Sequence, residues 1–116
     1  MNNSAENLSI NQDCIFCKIV SGIIKSNIIY ETEFSLVFQD NAPQAPIHYL
    51  IIPKQHVRDL VDCTDKQLLI DLISIPAILA ARIGNEISFK LVTNNGYAAG
   101  QRVFHLHFHF MSGKQF

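Results

Sequence analysis

Three histidines two residues apart, His105, His107 and His109, alternate with Leu106, Phe108 and Phe110 in the run from Arg102 to Phe110. In an extended segment alternate side chains point to opposite faces, so the imidazoles share one face and the apolar residues the other. Same-face positions repeat every roughly 6.5–7 Å, and a row of three spans about 13 Å, enough to line a phosphate and part of a nucleotide. An expression tag also clusters histidines, but without interleaved Leu and Phe. Near neutral pH an uncharged imidazole serves as nucleophile, as acid or base, or as ligand to a transition metal. The residues alone leave two chemistries open: attack on phosphorus by one ring, or a catalytic metal held by all three. A third ligand from one strand strains the tetrahedral geometry of the second.

Such a row needs a sheet behind it. Ile28-Ile29-Tyr30 and Phe34 to Phe38 read as two strands joined by a turn near Glu31-Thr32-Glu33. The two-proline loop Asp40-Asn41-Ala42-Pro43-Gln44-Ala45-Pro46 cannot continue a strand, and His48 to Ile52 forms a third that stops at Pro53. Ile87 to Leu91 alternates as a fourth, and the histidine run is the fifth. Between Asn94-Asn95-Gly96, a turn signal, and that run lies Ala98-Ala99-Gly100, small enough for close ligand approach.

Two helices complete the set. Ile15, Phe16, Ile19, Val20 and Ile23 recur at helical spacing, with Asp13 as cap and Gly22 as stop. Thr64 caps a long helix from Asp65 to Ile83, ended by Gly84 and kinked at Pro76. Its apolar stripe is wider than one sheet face covers, which predicts a second packing partner and a homodimer. The sum is an α+β fold with a five-stranded antiparallel sheet, one long helix and one short N-terminal helix.

The 116 residues fit one domain; 48% hydrophobic and 16% charged content predict a packed core. A net charge of −1 without a Lys/Arg cluster argues against a nucleic-acid duplex as partner. Residues 1–12 are polar and Asn-rich, without the pattern of a signal peptide, and read as a flexible arm before a domain over 13–116. Leu68 to Ala81 is broken by Asp71, Ser74 and Pro76 and too short for a bilayer, so no membrane association is expected. An odd count of three cysteines predicts a reducing, cytoplasmic setting. Cys14-x-x-Cys17 alone is a weak signal, redox-active or incidental, and Cys63 reads as structural.

Gly100-Gln101 followed by the His-apolar-His-apolar-His-apolar run resembles the histidine triad (HIT) family of nucleotide-binding proteins, of the Hint type. Cys14-Ile15-Phe16-Cys17-Lys18-Ile19, Pro43 to His48, Ile51 to His56 and Asn94-Asn95-Gly96 carry the likeness over almost the whole chain. The resemblance implies a hydrolase or transferase acting at the α-phosphate of purine nucleoside phosphoramidates or nucleotidyl esters through a covalent nucleotidyl-histidine. It implies His107 as nucleophile, His109 at the phosphate and in proton transfer, His48 as relay and His105 as the first member of the triad. Phe16 and Ile19 correspond to the base pocket, Asp40 and the adjacent Asn41 to the ribose side, and Asn94 to the sugar or phosphate. Backbone N–H groups of Gly100, Gln101 and Arg102 are candidate donors to the developing phosphate charge.

No cofactor is implied for catalysis. Some relatives hold a structural zinc, and the matching positions here are Cys14, Cys17, His56 and His105, a coherent tetrahedral donor set. The chain departs from the Hint pattern at Arg102, where a hydroxyl residue often supports the leaving group; an arginine stays charged and accepts nothing. That departure favours the alternative reading, a purine-nucleotide or protein-binding module of low turnover.

Overall fold

The computed structural model describes residues 13–84 and 87–116; the arm expected over 1–12 lies outside them. The elements run α1 (Ile15–Val20), β1 (Ile28–Glu31), β2 (Ser35–Gln39), β3 (Ile47–Pro53), α2 (Lys66–Ile83), β4 (Phe89–Val92) and β5 (Phe108–Ser112). A 3₁₀ turn over Tyr97–Ala99 precedes the histidine run. All strand pairs are antiparallel, in the order β1-β2-β3-β5-β4. This is the α+β architecture expected from the sequence.

Period-two alternation divides the sheet between the helices. Val37, Ile51, Phe108 and Phe110 point to one face, where Leu68, Leu72, Ile75 and Leu79 of α2 cover them. Leu36, Phe38, Leu50 and Ile52 point to the other, against Phe16 and Ile19 of α1. The sheet is therefore packed on both faces, and α1 is too short to cover all of its own; His107 and His109 border the cleft left on that side.

Both helix starts differ from expectation. Cys14, not Asp13, caps α1, with its Sγ accepting the Cys17 N–H at 3.4 Å, and the helix ends at Val20, capped by Ser21 just before the expected stop at Gly22. Gly22, at φ +82, lies just past that end. Asp65, not Thr64, caps α2: its carboxylate accepts the N–H groups of Gln67 and Leu68 at 3.0 and 3.2 Å. A carboxylate also complements the positive end of a helix, where a hydroxyl does not. Helix α2 runs through a buried Pro76 without interruption. Its outer side leaves Ile70 67% and Ile73 55% exposed.

The larger correction concerns the fifth strand. Only Phe108–Ser112 pair as strand, so His109 lies on β5 while His105 and His107 precede it. Ile51 of β3 pairs with Phe108, and two residues further β3 ends at Pro53, which has no N–H to extend a ladder. The preceding segment is held otherwise: Leu106 N–H donates to Val57 O at 2.7 Å, and Thr93 Oγ donates to His107 O at 2.8 Å. Facing still alternates, because Leu106 joins the α2-side core while His105 and His107 both meet the ring of Phe16.

Candidate functional site

The imidazoles do not form one row with one task. His105 is fully buried and turns toward Cys14 and Cys17, whereas His107 and His109 face a cleft. Their hydrogen bonds fix which nitrogen carries each proton, because a carbonyl only accepts and an amide N–H only donates. His107 Nδ1 lies 2.8 Å from His105 O and so carries the hydrogen, leaving a lone pair on Nε2. Gln44 N–H donates to His48 Nδ1 at 3.0 Å, so the His48 proton sits on Nε2. That Nε2 is 2.9 Å from His109 Nδ1, which accepts, and the His109 proton is on Nε2. The chain of donors runs one way: Gln44 N–H, His48, His109.

Sheet register explains the proximity. Leu50 pairs with His109 and His48 with Met111, which places the His48 and His109 rings on one face as diagonal neighbours, 5.1 Å apart. The rings of His107 and His109 are 5.2 Å apart, edge to face. Burial, foremost, pushes His107 below its ordinary value, partly opposed by the bond to His105 O and by the Asp40 charge. Burial also brings His109 down to about 4, helped by the neighbouring His107 and His48 and opposed by Asp40. Both are uncharged at neutral pH, which leaves a lone pair on His107 for nucleophilic attack.

A depressed histidine value makes the folded state acid-sensitive. The unfolded chain takes up the proton near the ordinary value of 6.5, the folded one only near 4 at His109. The contribution is complete above pH 6.5 and disappears as pH falls toward 4. Melting temperature should decline over that interval, with a smaller decline in His109→Gln; identical declines would remove His109 as a cause.

The cleft holds about 290 Å³. Its apolar wall is Phe16 and Ile19 with Phe38 and Leu50; Asp40 and Asn41 form one lip, and Gly100 with Arg102 the other. Asp40 Oδ1 accepts the Ala42 N–H at 2.7 Å, closing its loop, while Oδ2 lies 3.4 Å from His48 Nε2. Phe38 and Leu50 were not among the expected site residues. They are register partners on β2 and β3, and the alternation that puts Leu36 opposite Ile52 places them beside Phe16. Ile15 and Val103 also line the cleft without a prior signal.

His48 is buried and meets two cleft-lining groups, the His109 ring at 2.9 Å and the Asp40 carboxylate at 3.4 Å, a position that suits a relay. Other expected contacts lie elsewhere. Asn94 Nδ2 donates to Ala99 O at 2.9 Å, bracing the loop. Gln101 is buried: its Oε1 accepts the Gly96 N–H, and its Nε2 donates to Arg58 O and Val103 O. The main-chain N–H groups of Gly100 and Gln101 are bonded to Tyr97 O and Gly96 O, so these two are not open to a phosphate. Gly100 itself sits at φ +105, a conformation that glycine alone adopts without strain.

A second cluster gathers Cys14, Cys17, His56 and His105, whose donor atoms all lie within 4.8 Å of one another. His105 Nδ1 is 3.3 Å from Cys14 Sγ, 3.5 Å from Cys17 Sγ and 3.2 Å from His56 Nδ1; Cys17 Sγ is 3.3 Å from His56 Nδ1. His105 Nε2 donates to Pro53 O at 2.8 Å, so its Nδ1 lone pair faces the thiols. Burial brings His105 down to about 4 against the pull of that carbonyl. The donor set suits a metal ion, and it takes His105 away from the other two rings. A metal held by all three triad imidazoles is thereby ruled out. Cys63 lies in the α2-side core, its thiol raised by burial, as a structural residue. Among the described residues no helix is long and apolar enough to cross a membrane.

The family model for the HIT domain matches residues 21–116. An HIT-like protein of Synechococcus elongatus is 42% identical over 108 residues, covering 90% of this chain and 94% of its own. Among solved structures, a HIT family hydrolase from Clostridium thermocellum superposes with a TM-score of 0.83 at 39% identity, over 90% of this chain and 93% of that one. A histidine triad nucleotide-binding protein from Candida albicans gives a TM-score of 0.80 at 35% identity, over 88% and 76%.

Proposed function

Since the chain belongs to the HIT domain family, we propose that it is a nucleotide-binding hydrolase or transferase that works at the α-phosphate of purine nucleoside phosphoramidates or nucleotidyl esters. The observation that carries this reading is the bond from His107 Nδ1 to His105 O, which leaves the Nε2 lone pair as the nucleophile beside the cleft. Nε2 forms a bond to phosphorus while the bond to the leaving nitrogen or oxygen breaks with its electron pair. That atom leaves with a proton taken from solvent, while the Nε2–H of His109 hydrogen-bonds to it and the His48 N–H holds the His109 ring in place. Water then attacks phosphorus, the bond to His107 breaks with its electron pair returning to Nε2, and the water proton passes to solvent.

The apolar wall of Phe16, Ile19, Phe38 and Leu50 suits a purine, and the Asp40 carboxylate suits a ribose diol. Release of AMP from adenosine 5′-phosphoramidate tests the reading; tight AMP binding with no release would favour the binding-module alternative instead.

The second cluster is proposed to hold a structural zinc. Bonds of about 2.0 Å to nitrogen and 2.3 Å to sulfur set tetrahedral ligand separations of roughly 3.3–3.8 Å; four of the six donor pairs lie 3.2–3.5 Å apart, close to that range, and all lie within 4.8 Å. Bound there, zinc would tie α1 to the His56 loop and to residue 105. No cofactor is needed for the phosphoryl chemistry itself.

A homodimer through the outer side of α2 belongs to the same proposal, supported by the exposed Ile70 and Ile73. Sedimentation of an Ile70→Lys/Ile73→Lys variant should show a monomer where the unaltered chain shows a dimer; a monomer in both cases removes the idea. A reducing, cytoplasmic location belongs to the same reading, supported by the odd count of three cysteines.

A further inference from the structure

Arg102 carries a side chain for which the nucleotide reading has no use, and its surroundings give it one. It lines the catalytic cleft and also a second cleft of about 300 Å³ whose walls include Phe104 and Asp13. Ile15, Arg102 and Val103 are common to both, so they form the ridge over which one cleft passes into the other. The guanidinium is held in place: its carbon lies 3.9 Å from the centroid of the Tyr97 ring, and Nη1 donates to Tyr97 O at 2.8 Å and Gln101 O at 3.0 Å.

A guanidinium has five N–H donors in a planar fork. Those two bonds engage Nη1 only, and the Nε and Nη2 donors make no hydrogen bond to the chain among the described residues. The group is also unpaired with any carboxylate there. A fixed cation with unused donors beside a phosphoryl-transfer cleft is a site for an anion, and a fork of this shape matches phosphate or carboxylate oxygens.

Resting on the proposed reaction, we infer that Arg102 selects substrates whose leaving group is an anion, a phosphate or phosphate ester, and that the second cleft receives the body of that group. In such a substrate His107 Nε2 bonds to the α-phosphorus as the bridging P–O bond breaks, and the electron pair stays on the departing phosphate oxygen. That phosphate leaves without needing a proton, and the charge it gains lies where Arg102 can stabilise it. A hydroxyl residue could share a proton with a departing amine; arginine stabilises a departing anion instead. The apolar sides of Ile15, Val103 and Phe104 suit a leaving group that carries a hydrophobic portion beyond its phosphate.

A matched pair of probes separates the cases: the P2-phenyl ester of ADP, which releases phenyl phosphate, and adenosine 5′-phosphoranilidate, which releases aniline. Arg102→Gln should lower kcat/KM for the first about 10- to 100-fold more than for the second, the factor expected for losing a charge-assisted hydrogen bond. Arg102→Lys, which keeps the charge without the fork, should fall between. Equal losses on both probes, or none on the phenyl phosphate ester, overturn the inference. Should neither probe be cleaved, the proposed reaction fails, and calorimetry on the intact ester still decides about Arg102. In a His107→Ala background the ester should bind at least about tenfold tighter than AMP, and Arg102→Gln should abolish that advantage. No such advantage, or one that survives Arg102→Gln, sinks the inference by itself.

Discussion

Replacing His107 with alanine is expected to slow AMP release from adenosine 5′-phosphoramidate on the order of 10⁴- to 10⁶-fold, the scale seen when a covalent catalyst loses its nucleophile. His107→Asn is the sharper variant. Its side-chain amide can still donate to the His105 carbonyl, so the local backbone arrangement keeps a partner at that position. Both variants should bind AMP, since the apolar wall and Asp40 lie on other elements. Quenching the unaltered enzyme during turnover should yield chain carrying an adenylyl group on residue 107, absent from either variant. If both variants turn over at the parent rate, the nucleophile has been misassigned. Loss of rate without any trapped adduct in the parent would point to direct attack by water, with His107 as its base.

Saturating zinc is expected to raise the melting temperature by about 16 °C. At a free concentration a thousandfold above Kd a ligand adds about 4 kcal/mol, and for a chain of this length each kcal/mol is worth about 4 °C. The gain should vanish in Cys17→Ala and His56→Ala, each of which removes one donor from the cluster. It should also vanish with a strong chelator. Protein prepared without a nickel column should carry near-stoichiometric zinc by mass spectrometry. Traces only, together with an unmoved melting temperature, would mean that the four side chains pack against one another without an ion. His56→Ala is the gentler variant, because His56 is only partly buried whereas Cys17 is enclosed.

How much of this could be read in advance depended on the kind of signal. Alternation in Leu36-Val37-Phe38 and Leu50-Ile51-Ile52 is strict, so the sheet and its two faces were legible. Phe16, Asp40 and His107, each carried by a motif, line one cleft together. The limits of β5 were not legible, because alternation marks which side a residue faces and says nothing about hydrogen-bond partners. Only the position of Pro53 across the sheet reveals where the pairing must stop.

Gln101 and Asn94 illustrate another limit. An amide can contact a ligand or brace a loop with the same atoms, and only the coordinates show Gln101 spanning Gly96, Arg58 and Val103. The caps moved by one residue at each helix because Asp13-Cys14 and Thr64-Asp65 each offer two adjacent acceptors. Phe38 and Leu50 needed the register of β2 on β3, a non-local fact.

Residue 105 contributes twice, and by different parts. Its imidazole joins the thiols, while its carbonyl aims the next-but-one ring at the cleft. Any amino acid brings a carbonyl, so the aim of the proposed nucleophile is written in the main chain and survives a change of side chain there. A lineage could discard both thiols and the imidazole of residue 105 and still inherit a correctly pointed His107, provided the peptide path around Pro53 stayed put. The proposed metal site and the proposed catalytic site are thus joined in space yet separable in descent.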